Sequence, residues 1–386
     1  MKNITKFLLL AFLIENLCTK TVLLYQYTAP VFYAFLGIGI LTLFYSKRWP
    51  ASSYGRFDWM IFISLIYTFH CFILGYEFFC AENLLYLGAK IATFLIICTS
   101  LNSNSLFFEK KGIVIFAVLA AIMILQGLLF PRSDVVFNGE ERVSFGFVNS
   151  NSLGGTACIV FGVLIFEFQN QKWKKWAMIA CAVAVFAVFA CGSRASLLVL
   201  AILFFARYKV TGKTITLVVI GTFIALLLLP NMGIELTGVN RIAGTVSGEI
   251  GNNRDLEREA AEWMIKERPM LGWGLVTENK GAAAEMTQMS SHNGYLDLAK
   301  TLGLPMAILW LLIVLWIPIK YFANMKRLHL PVDFFCVYAF CALIKCMYEP
   351  MFAGVHEVEC NMFYVSLAIM SMRLYDSTPK KKPYQR

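Results

Sequence analysis

The sequence predicts an all-α integral membrane fold of about twelve transmembrane helices, built as one polytopic domain over residues 1–386. Three observations carry this expectation. Hydrophobic residues make up 59% of the chain and charged residues 15%, against roughly 25% charged in a soluble domain, which argues against a soluble cytosolic enzyme. Apolar runs of about 17 to 25 residues recur from Thr5 to Arg373, each long enough to cross a hydrocarbon core of roughly 30 Å as a helix. Basic residues crowd into alternate connections between these runs, as the positive-inside rule requires.

Bounded by charged or Pro/Gly-rich breaks, the runs fall near 5–24, 29–45, 59–76, 84–100, 112–130, 151–167, 176–191, 195–206, 213–230, 295–319, 333–348 and 358–372. The first follows Lys2 and Lys6 as a signal peptide would. It lacks a small-x-small cleavage site and contains Glu15 and Lys20, so it is read as a span. With the N-terminus in the cytoplasm, the inner segments hold Lys2 and Lys6; Lys47, Arg48 and Arg56; Lys110 and Lys111; Lys172, Lys174 and Lys175; Arg207, Lys209 and Lys213; Lys320, Lys326 and Arg327; then Arg373, Lys380, Lys381, Lys382 and Arg386, 21 of the 34 basic residues. Both termini are therefore expected inside. The formal charge of +10 then belongs to orientation and contact with the anionic lipid bilayer, and no nucleic-acid partner is expected.

Eight of the eleven cysteines lie in or at the ends of spans, where a thiol acts as a small hydrophobe, and no zinc spacing or disulfide framework appears. A bridge among the outer-side Cys80, Cys346 and Cys360 is the alternative to ordinary packing. One connection stands apart: residues 231–293, between the ninth and tenth spans, form a large extracytoplasmic loop far beyond ordinary length, and such loops are usually functional or disordered. Within it Asn252 or Asn253 can cap a helix running from Arg254 to Arg268 and stopped by Pro269, with Leu256, Ala260, Trp263, Met264 and Ile265 on its apolar side.

Five sets of residues could carry chemistry. Arg194 precedes a run of only twelve residues, which at 1.5 Å per residue spans about 18 Å, so it is expected below the outer surface, facing a cavity or a buried anion. The alternative is an arginine that snorkels to the interface at a tight hairpin. Arg254 and Arg258, four apart, share a helix face and their forks suit phosphate oxygens, although Asp255, Glu257, Glu259 and Glu262 are near enough to pair with them. His292 stands where the long loop re-enters the membrane, in Ser290-Ser291-His292-Asn293-Gly294-Tyr295, and histidine titrates close to neutrality, as a general base must. His356-Glu357-Val358-Glu359-Cys360 has metal-capable side chains in an order that fits no zinc motif, so no metal is expected. Glu15, Lys20, His70 and Lys90 lie within apolar runs, where they either pair internally or form an ion path.

At these positions the chain resembles the O-antigen ligase and polysaccharide polymerase (Wzy-type) family of bacterial envelope glycosyltransferases. Gly146-Phe147-Val148-Asn149-Ser150-Asn151 is similar to its G-x-F-x-N-P-N segment, with Ser150 in place of proline and a residue shifted. Ser193-Arg194-Ala195 is similar to its Ser-Arg-Gly/Ala. Arg254, Ala261, Ile265, Pro269, Gly272 and Gly274 match its R-x3-W-x2-A-x3-I-x3-P-x2-G-x-G, with Arg258 at the tryptophan position, and His292, Asn293, Tyr295, Leu296 and Gly303 match its H-N-x-Y-L-x6-G.

The resemblance implies a GT-C-like, metal- and cofactor-independent glycosyltransferase of the bacterial plasma (inner) membrane. It would move a glycan from an undecaprenyl-pyrophosphate-linked donor to a glycan acceptor hydroxyl on the outer face. His292, Arg194 and Arg254 would be catalytic, with Arg142, Asn151, Ser193, Arg258 and Asn293 binding substrate. Polymerisation of repeat units is favoured by analogy; ligation of finished glycan to lipid A core or protein uses the same donor site. A chain-length regulator and a flippase would be partners. The absence of acids over residues 25–29 argues against metal-dependent oligosaccharyltransferases. A flippase or other transporter and a non-catalytic envelope scaffold are the readings from other classes; no internal symmetry of the kind common in transporters is visible.

Overall fold

The computed structural model describes residues 2–46, 55–78, 81–129, 136–137, 140–141, 144–168, 171–208, 254–274, 291–352 and 354–378. Over these the chain is helical: α1 (Lys2–Cys18), α2 (Thr28–Ser46), α3 (Asp58–Phe78), α4 (Ala81–Phe107), α5 (Ile113–Leu129), α6 (Ser150–Phe166), α7 (Lys174–Ala190), α8 (Arg194–Arg207), α9 (Arg254–Glu267), α10 (Gly294–Leu302), α11 (Leu304–Asn324), α12 (Phe334–Lys345) and α13 (Val358–Ser377). Among the described residues the β pairings are a two-residue antiparallel pair, Val136–Phe137 with Glu140–Glu141, and a bridge between Thr21 and Phe147.

Each predicted run carries a helix except the ninth, 213–230, which lies outside the described residues. Two boundaries are corrected. The first helix stops at Cys18 rather than near 24, because Lys20 and Val22 pair through their backbones with Val148 and Gly146 (both 2.9 Å), tying the end of α1 to the segment that opens α6. The tenth run is broken in two at Gly303, whose φ of 75° lies in the left-handed region open to glycine. Caps set several starts: Asn149 accepts the Ser152 N–H (2.9 Å) at α6, and Asp333 accepts the Cys336 N–H (3.2 Å) at α12.

Helix α13 forms the centre. It packs on α1, α4, α6, α11 and α12, and every residue from Cys360 to Met370 is buried, so its polar Asn361 and Ser366 face protein. Helix α6 is the second hub, with α5, α7, α8 and α12 around it. Outside this core, apolar stripes face outward: Ile61, Phe62, Leu65 and Phe69 on α3, Ile115, Ile122 and Leu125 on α5, Ile308, Leu312, Trp316 and Ile319 on α11. Contiguous apolar surface of this kind is what hydrocarbon covers and water does not. Among the described residues two helical stretches are long and apolar enough to cross a membrane, Asn83–Leu129, interrupted by non-helical backbone at Asn104, and Leu304–Asn324.

The two ends of the bundle differ. At one, Arg373 pairs with Glu109 (2.5 Å) and Asp333 (2.6 Å), and Arg56 with Asp376 (2.5 Å), gathering segments expected on the inner side. The other gathers the segments before α6, after α12 and before α10.

Candidate active site

His292 opens this second end. Its φ of 46° is left-handed, a conformation non-glycine residues hold only when their surroundings impose it, at a cost of about 1–3 kcal/mol. The next residue, Asn293, caps α10, its side chain accepting the N–H groups of Tyr295 (2.9 Å) and Leu296 (3.2 Å). Two bonds fasten α10 to the end of α12: Gly294 N–H to Cys346 O (2.7 Å) and the Tyr295 hydroxyl to Leu343 O (2.7 Å). The imidazole is thereby placed between two carboxylates. Glu257 of α9 lies 3.5 Å from Nε2, and Glu349, just past α12, lies 3.8 Å from Nδ1. Glu349 is itself held by Asn151 of α6, whose amide donates to it at 2.8 Å.

The loop helix reaches His292 because its far end is clamped. Trp273 and Gly274 donate to Lys300 and Thr301 carbonyls (2.9 and 3.0 Å), and Leu304 donates to Pro269 O (2.7 Å). Side chains at Gly272 or Gly303 would overlap this backbone, and both glycines have positive φ (64° and 75°). His70 fixes the same corner from α3, its Nε2 2.7 Å from Thr301 O. The matched positions Pro269, Gly272, Gly274 and Gly303 thus hold α9 alongside α10. Gly303→Ala is expected to loosen this clamp by about 1–3 kcal/mol, seen as faster trypsin cleavage within residues 254–274 while the remaining bundle stays resistant.

Arg194 begins α8 immediately after the turn Cys191-Gly192-Ser193, with Gly192 at φ 66°. It is half-buried, at the end of α8 that packs on the first turns of α6, where Gly154 sits directly against Ser196 and Cys191. Ser193 acts as the cap of α8, accepting from the Ser196 N–H (3.4 Å) and hydroxyl (3.0 Å). Arg258 is exposed and pairs with Glu262 at 2.9 Å, so its fork is engaged along its own helix. Arg254 opens α9; its side chain, and Arg142 entirely, lie outside what the structure describes.

Of the residues expected to act, the structure brings His292 and Asn151 together through Glu349, and makes Ser193 and Asn293 helix caps. Glu349 and Glu257 are the two members sequence reasoning passed over. Glu349 was visible as an acid at the outer end of a span, in Tyr348-Glu349-Pro350; Glu257 was seen only as a pairing partner for neighbouring arginines.

Beneath the site lies a buried ion pair, Lys345 with Glu359, the latter pressed against Gly155, where a Cβ would overlap its carboxylate. The metal-capable run 356–360 is dispersed: His356 packs on Phe32 (5.4 Å), Glu357 pairs with Lys20 (3.5 Å), Glu359 meets Lys345, and Cys360 lies by Lys90. Cys346 and Cys360 are free, buried thiols, which removes the bridge between those two, and Cys80 lies outside the described residues. The other polar groups in apolar runs are bonded inward: Asn16 donates to Glu15 (3.0 Å), and Lys90 donates to Gly354 O (2.5 Å).

Burial, followed by the Lys20 ammonium, holds His356 below the usual histidine range, with Glu357 opposing. A lowered folded value favours the neutral ring, so its contribution to stability is present above the ordinary value of about 6.5 and is lost as pH falls below it. Thermal scans are expected to show wild type losing more stability than His356→Gln between about pH 7 and 5.

No protein-family model matches the chain, and no curated protein sequence matches it.

Proposed function

We propose that this chain is a polytopic membrane glycosyltransferase of about twelve spans, both termini inside. It transfers a glycan from a polyprenyl (undecaprenyl) pyrophosphate donor to an acceptor sugar hydroxyl at the outer face, most simply to polymerise repeat units. The observation that carries this reading is His292, held in a strained conformation between Glu257 and Glu349 where the long outer loop meets the bundle. Further support comes from the outward apolar stripes and from the sorting of expected inner and outer segments to opposite ends.

In the reaction the acceptor oxygen attacks the anomeric carbon while His292 takes the hydroxyl proton. The bond from that carbon to the pyrophosphate oxygen breaks, and pyrophosphate leaves with the electron pair. Arg194, at the start of α8, would supply positive charge to the departing pyrophosphate. Arg254 would join it from the first turn of α9. The buried polar groups are tied to carbonyls and carboxylates of the connections, as supports rather than as a conduction path.

The test is the surface glycan pattern of a deletion strain complemented with wild type, His292→Ala, Arg194→Ala or Arg254→Ala at matched protein levels. Single repeat units in the deletion and in all three variants support the polymerase. Long lipid-linked chains that never reach their final acceptor indicate the ligase. Wild-type patterns in all three variants overturn the catalytic reading in favour of transport or scaffolding.

A further inference from the structure

The inner end of the bundle carries a groove that glycan transfer does not use. It lies among α3, α11 and α13 and encloses about 920 Å³, a volume typical of ligand sites. Its wall is apolar and open: Phe62, Leu312 and Trp316 are each more than half exposed. Its mouth is cationic. The Lys320 ammonium rests over the Trp316 ring (5.0 Å), Arg327 donates to Asn324 (2.5 Å), and among the described residues neither meets a carboxylate. The acid in the lining, Asp58, already accepts the Gly55 N–H (2.8 Å).

Charge and polarity specify the occupant: it must offer negative charge at the mouth and an apolar chain along the wall. The chain's own adjoining segments fit poorly, because the charges within 47–54 and 379–386 are all basic: Lys47, Arg48, Lys380, Lys381, Lys382 and Arg386.

We propose that this groove binds one anionic phospholipid of the inner leaflet, with its phosphate between Lys320 and Arg327 and an acyl chain along Phe62, Leu312 and Trp316. The proposal rests on the membrane reading above and is independent of glycan transfer. Basic residues at an anionic membrane surface contribute roughly fivefold each, so Lys320→Gln with Arg327→Gln is expected to lose about thirtyfold of the lipid preference.

The experiment is native mass spectrometry of the full chain in detergent, after incubation with equal phosphatidylglycerol and phosphatidylcholine. A single phosphatidylglycerol retained in preference by wild type, and the preference abolished in the double variant at unchanged melting temperature, support the site. Equal retention of both lipids by wild type, or a preference that survives the double substitution, overturns it. Alkaline carbonate extraction of the same membranes separates the two ideas. A chain washed off overturns the membrane reading together with the groove; a chain that stays while holding both lipids equally overturns the groove alone.

Discussion

His292→Ala is expected to cut the initial rate of glycan extension in isolated membranes by about 10²- to 10⁴-fold, with unchanged protein level and melting temperature. The loss should be catalytic rather than structural, because the bonds that fasten α10 are made by neighbouring residues. The imidazole sits half-buried at the bundle's end, while Asn293, Gly294 and Tyr295 make those bonds. The two flanking carboxylates are predicted to behave differently. Glu349 is fixed on a rigid frame: Asn151 holds its side chain and its own N–H bonds Lys345 O (3.0 Å). In the proposed reaction it would stabilise the imidazolium formed as the proton arrives. Glu349→Gln keeps the shape and removes the charge, and is expected to cost about tenfold or more. Glu257 belongs to the loop helix and faces Nε2, the position an acceptor hydroxyl would take, so it must yield on substrate entry; Glu257→Gln is expected to change the rate by less than about threefold. Equal losses in the two variants would mean that both carboxylates hold the ring, and no loss in His292→Ala would remove it from the chemistry.

The helical plan of the described residues was legible in the sequence because its runs are continuously apolar and bounded by charged or Pro/Gly-rich breaks. What escaped was decided by contacts distant in sequence. The early end of α1 at Cys18 follows from pairing with Gly146 and Val148. The break at Gly303 needs the backbone of Met270 and Leu271 approaching so closely that no Cβ fits. Of the site, His292 was legible from its position at the loop's return, whereas Glu349 acquires its role only when α6 brings Asn151 across almost two hundred residues. Arg258 shows the opposite limit. Its spacing from Arg254 fitted a phosphate site, but spacing alone favoured pairing with the neighbouring acids, and the structure pairs it with Glu262 one turn on.

The pair beneath the site leads to the second large effect. Lys345→Met leaves the Glu359 carboxylate buried beside Gly155 without its cation, and is expected to destabilise the bundle by about 3–5 kcal/mol, lowering Tm by roughly 5 to 10 °C. The size of that loss would measure the stranded charge rather than the worth of the pair. Adding Glu359→Gln, which keeps the shape against Gly155, removes the charge and should restore most of the lost stability. The same comparison asks whether the pair also serves the chemistry. Lys345 ends α12 four residues before Glu349, whose N–H bonds its carbonyl, so its ammonium contributes to the field in which Glu349 and His292 sit. If the pair is structural only, the double variant regains glycan extension along with its Tm. A double variant that melts like wild type yet extends glycan about tenfold more slowly would place Lys345 among the residues that set the charge of the site, acting through Glu349.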